Sequence, residues 1–127
     1  MQQGEPFAYA ILRVVPRADR GEAINVAVVL FCRAAGFLAM RWVVPGERLA
    51  ALDPALDTDS LSGQLRALEA IAQGEPAGGP VALQPLSERF HWLVAPASTI
   101  VVPSEVHTGI SADPQATLAQ LFEKLVG

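Results

Sequence analysis

A chain of 127 residues that is 51% hydrophobic and 17% charged has the composition of a folded globular protein, which excludes an extended disordered chain. One hydrophobic core suffices at this length, so residues 1–127 are read as a single domain. A net charge of −4 argues against generic binding to nucleic acid or to an anionic membrane, since both depend on an excess of Lys and Arg.

Met1 to Pro16 reads neither as a signal peptide nor as a spanning helix, and the expected location is cytoplasmic. Phe7 to Val15 is a β-rich run that Pro16 ends, and Asn25 to Arg33 is a second, almost continuously apolar through Val26, Val28, Val29, Leu30 and Phe31. The second run reads as a central strand covered on both faces. Ala34-Ala35-Gly36 supplies a tight connection, and Phe37 to Val44 reads as the third strand, stopped by Pro45-Gly46.

A helical turn is expected over Arg48 to Leu52, and a longer helix after Asp57-Thr58-Asp59-Ser60, where side-chain oxygens can cap free amides. Leu61, Leu65, Leu68 and Ile71 share one face of it, and Gly74 ends it. Residues 74–80, rich in Gly and Pro, read as a flexible internal loop. Ser87 to Val94 fits two periods, and the reading adopted is a short helix capped by Ser87. Thr99 to Val102 and Val106 to Ile110 read as short strands separated by Pro103-Ser104, and Asp113-Pro114 opens a last helix with Leu118, Leu121, Phe122 and Leu125 inward. The expected architecture is α+β, a mixed or antiparallel sheet of about five strands with two main helices packed on one face.

Two constellations carry polar chemistry. Arg13, Arg17, Arg20, Glu22 and Asn25 crowd the junction between the first two strands, either as a self-paired structural clamp or as a polar pocket for an anion or a partner. Asn25 enters an apolar strand, so its amide needs a partner, and the preceding loop is the expected one. Glu88, Arg89, His91 and, later, His107 form the second group, and each histidine is expected to be partly buried and hydrogen-bonded. Glu88 and His91 have a usable helical ligand spacing, yet no second pair completes a metal set, so no metal and no cofactor are expected.

The lone Cys32 excludes an intrachain disulfide and lies in an apolar strand, as an inert core thiol would. No serine, Ser98 among them, sits in a nucleophile elbow, and no phosphate loop, dinucleotide fingerprint or zinc spacing is present. Trp42 and Trp92 read as core or rim residues.

Four stretches carry a family resemblance. They are Tyr9-Ala-Ile-Leu-Arg13-Val-Val-Pro16-Arg17; Arg20 with Glu22 and Ile24-Asn25-Val26; Ser87-Glu-Arg-Phe-His-Trp-Leu93; and Val106-His107-Thr108-Gly109. In these the chain resembles a bacterial domain-of-unknown-function family, number three thousand and thirty-seven, over nearly its whole length. The resemblance implies no agreed activity. It implies a HipA-like kinase as a genomic neighbour and hence as a protein partner. The chain departs from the family pattern at Ala27, where relatives often carry glycine, and at Ala97, where some carry arginine. The first departure implies that the second strand needs no special backbone angle there, and the second weakens an anion site that would use position 97.

Two functions follow as expectations. The favoured one is a non-enzymatic protein-interaction or accessory module whose surface includes Arg13, Arg17, Arg20 and Glu22. The alternative is a small hydrolase or phosphate-handling enzyme, in which the arginines hold an anion, Glu88 or a histidine is the general base and Asn25 orients the attack.

Overall fold

The computed structural model describes residues 4–17, 19–96 and 100–127. Its centre is a five-stranded antiparallel sheet built from β1 (Glu5–Val14), β2 (Ile24–Cys32), β3 (Phe37–Trp42), β4 (Val101–Pro103) and β5 (His107–Ser111). The spatial order is β3-β2-β1-β4, with β5 also on β1. β4 lies beside Leu12 to Val14 and β5 beside Glu5 to Tyr9, so the two short strands together form one interrupted edge. Ser104 bridges the interruption. Its amide donates to the Ile11 carbonyl (2.7 Å) and its hydroxyl accepts from the Ile11 N–H (2.9 Å), so a side chain replaces one main-chain partner.

The apolar run of β2 is buried on both faces, with Val26 to Leu30 wholly inaccessible. On one face Leu12, Val14, Val29, Leu38 and Met40 meet Leu61, Leu65 and Ile71 of α2 (Thr58–Gln73) and Phe90 and Leu93 of α3 (Leu86–Leu93). On the other face Phe7, Val28, Leu30 and Cys32 meet Leu118 and Leu121 of α4 (Pro114–Leu125). The antiparallel α+β architecture is as expected, but the two main helices, α2 and α4, pack on opposite faces rather than on one. A central strand apolar on both sides needs cover from both.

A register shift between Leu12 and Arg13 decides what the polar junction can reach. Leu12 pairs with Ala27 but Arg13 pairs with Asn25, so Val26 is the extra residue of a bulge. Val26 and Ala27 therefore both enter the α2 core, and Asn25 turns to the α4 face.

The helices begin and end as their sequences dictate. The Asp57 carboxylate accepts from the amides of Asp59 and Ser60 at the start of α2, and Gly74 closes that helix in the left-handed conformation at φ 72°. Asp113 accepts from Ala116 N–H at the start of α4, ahead of Pro114. Ser87 caps nothing: α3 starts earlier, at Leu86 after Pro85, and has no side-chain cap bond. The expected turn after Pro45 is the short helix α1 (Gly46–Leu52), which buries Leu49. Within and just after the loop 74–80 lie two 3-10 turns, Pro76–Gly78 and Pro80–Leu83, with Ala82 buried in the α2 core. Ala97, Ser98 and Thr99, to which a family departure, an excluded nucleophile and a strand start were assigned, lie outside the described residues.

Candidate functional site

The polar residues of the first junction split by role. Arg20 Nε meets Glu22 Oε1 at 2.7 Å and Arg17 meets Asp19 at 3.5 Å, each pair well exposed, as a self-paired loop would have them. Arg13 is half-buried and donates to the Pro103 carbonyl at 3.3 Å, tying β1 to the end of β4, while its Nε is buried with no hydrogen-bond partner among the described residues. Asn25 does not hold the preceding loop. Its side-chain amide donates to the Leu125 carbonyl at 3.0 Å and so caps the last turn of α4, a bond spanning 100 residues of sequence.

The Ser87-to-Leu93 segment serves α2 as much as itself. Arg89 Nη1 donates to the carbonyls of Ile71 (3.2 Å) and Ala72 (3.1 Å) in the last turn of α2, where the Ile71 carbonyl also accepts from Gly74 N–H (3.1 Å), and a cation suits that helix end. The guanidinium lies so close to Gly74 that a Cβ there would stand 2.7 Å from Nη1. Phe90 faces the core and stacks on Phe31 at 5.3 Å between centroids, leaving Glu88, His91 and Trp92 exposed.

His107 sits on β5 opposite Tyr9, with rings 5.3 Å apart. Tyr9 packs with the α4-side cluster, whereas α3 packs with the α2-side cluster. His107 and the group Glu88, Arg89 and His91 thus lie on opposite faces of the sheet. Both histidines are exposed, not partly buried, and neither imidazole hydrogen-bonds a described residue. The nine candidates therefore do not share one cleft. Among the described residues no group of three metal-ligating side chains converges, and no helix is long and apolar enough to cross a membrane.

One concavity carried no mark in the sequence. It is an open groove of about 430 Å³ on the α2 side, between α2, α3 and the β1–β4 edge, walled chiefly by Leu12, Leu68, Trp92, Leu93, Val101 and Pro103. Among the described residues no charged side chain lines it, and Gln64 and the Trp92 indole are its polar groups. Trp92 stands at its rim, 49% exposed. The arginine loop leaves the sheet at the same end, where Val15 N–H donates to the Ile100 carbonyl next to Val101. The signal lay in Leu68 and Trp92, both assigned to core or rim before a groove between them was visible.

Cys32 is fully buried, its thiol 3.5 Å from the Pro6 carbonyl, which fits a core role. Gly109 lets β5 approach Phe7, since a Cβ there would stand 2.7 Å from the ring.

A family model described as "Protein of unknown function (DUF3037)" matches residues 9–126. No curated protein and no solved structure matches the chain.

Proposed function

Starting from the chain's membership of the DUF3037 family, whose description assigns no activity, we propose that it is a non-enzymatic protein-interaction module. The groove carries this reading: its size lies in the range of binding sites, its wall is apolar, and among the described residues no acid, base or nucleophile lines it. Half-exposed tryptophan beside leucine and proline is the composition of an interface centre, and the paired charges of Arg17, Asp19, Arg20 and Glu22 suit a polar rim. The partner we propose is a HipA-like kinase, offering apolar side chains to the groove. An enzyme using Glu88, His91 and His107 together has no observation in its favour, because the sheet stands between those groups.

Co-expression of the chain with the genes beside it, followed by purification on a tag carried by this chain, tests the reading. A stoichiometric complex with the kinase, lost in Trp92→Ala and weakened in Arg17→Glu, is the expected result. Absence of a complex with every neighbour would overturn it.

A further inference from the structure

The helix α3 is held to its surroundings by two kinds of contact. Phe90 and Leu93 seat it on the sheet, where Phe90 stacks on Phe31, and this fixes its depth. What ties it sideways to α2 is Arg89. Among the described residues both polar bonds between the two helices are those from Arg89 Nη1 to the Ile71 and Ala72 carbonyls, and α3 has no side-chain cap of its own. Gly74 makes room for them: it ends α2 at φ 72°, and a Cβ on it would stand 2.7 Å from Nη1 and 3.4 Å from Cζ of the guanidinium. A single helical turn separates this clamp from the groove on both helices. Arg89 and Trp92 are three residues apart on one flank of α3, and Ile71 and Leu68 are three apart on α2.

Resting on the interaction reading of the groove, we propose that Arg89 is its positioning residue: by holding α3 against the end of α2 it sets where Trp92 stands, and so how wide the groove is. Phe90 and Leu93 make non-directional contacts, about which a helix of 8 residues can pivot. The bonds of a planar guanidinium to two successive carbonyls are directional and resist that pivot. Loss of the clamp frees the flank that carries Trp92, and the indole moves away from Gln64 and Leu68 into water. Lysine at position 89 keeps a cation at the helix end but lacks the planar fork, so it holds α3 less firmly. A residue that only capped α2 would act differently, changing the stability of the fold without moving Trp92.

Fluorescence quenching by acrylamide reads the position of the indole, in a Trp42→Phe background that leaves Trp92 as the one tryptophan. The quenching constant should rise in Arg89→Ala by up to about two-fold, the ceiling for a ring already 49% exposed, and rise less in Arg89→Lys. Gly74→Asn keeps the left-handed angle and both carbonyls but sets a Cβ against the guanidinium, so it should raise the constant as well. Asn25→Ala is the control: it removes a helix cap on the other face of the sheet, and should lower the melting temperature while leaving the quenching native. Affinity for the proposed kinase should follow quenching and not melting, falling about ten-fold in Arg89→Ala and staying native in Asn25→Ala. If Arg89→Ala does not melt cooperatively, Arg89→Lys and Gly74→Asn carry the comparison. Native quenching in the folded Arg89 and Gly74 variants, or an equal rise in Asn25→Ala, overturns the proposal. Failure of the native chain to bind the kinase overturns the interaction reading instead, and the quenching series still decides the role of Arg89.

Discussion

Asn25, Arg89 and Gly109 are the family-resembling residues whose roles the structure makes concrete, and each acts far from where its sequence neighbours lie. Asn25 holds the α4 terminus, so Asn25→Ala should destabilise by about 1 to 2 kcal/mol, a melting temperature lower by roughly 3 to 8 °C. Asn25→Asp should be worse, because a carboxylate would face a helix C-terminus. Arg89→Ala takes its donor from the Ala72 carbonyl and leaves the Ile71 carbonyl with Gly74 N–H alone, and should cost about 1 to 3 kcal/mol, with Arg89→Lys restoring part of it. Gly109→Ala drives a methyl into the Phe7 ring and should cost about 1 to 3 kcal/mol. Calorimetric melts of these variants check all of them. Arg17 offers the contrast: its pairing with Asp19 is exposed and local, so Arg17→Glu should leave the melt nearly unchanged.

At the scale of elements, the interrupted edge depends on one hydroxyl. Ser104→Ala leaves the Ile11 N–H without its acceptor, and exchange of that amide should quicken about ten-fold, for a loss near 1.4 kcal/mol, while β2 amides stay protected. Most elements were legible because each is local chemistry: β-rich or continuously apolar runs stopped by turn residues for β1 to β3, an Asp-rich cap and leucine stripe for α2, Asp-Pro for α4. Where the reading failed, distance was the cause. Ser87 looked like a cap because only its own neighbourhood was visible, whereas Arg89, two residues on, caps a different helix. The bulge at Val26 was hidden because both its residues are apolar, yet it alone sends Asn25 to α4 instead of to the loop.

For the whole molecule, the continuous burial of Val26 to Leu30 already required cover on both faces, and the one-face placement of α2 and α4 was inconsistent with it. The same layering separates the candidate site. Arg17 and Arg20 stay in their self-paired loop, Arg13, Asn25 and Arg89 hold the frame, and His91 and His107 are divided by the sheet. What the layers leave open is the apolar groove beside Trp92. Its lining side chains are of the kind that also build cores, so Leu68 and Trp92 read as core or rim and did not mark a groove.

Titration calorimetry of the purified chain against its proposed partner, a HipA-like kinase, tests the interaction reading most directly, with Ala67→Asp as the comparison, an exposed residue on the groove wall. The expected result is saturable binding that Ala67→Asp weakens at least about ten-fold, a penalty of about 1.4 kcal/mol for setting a charge against apolar contacts, with an unaltered melt. No binding by the native chain, or binding that Ala67→Asp leaves untouched, would contradict the account.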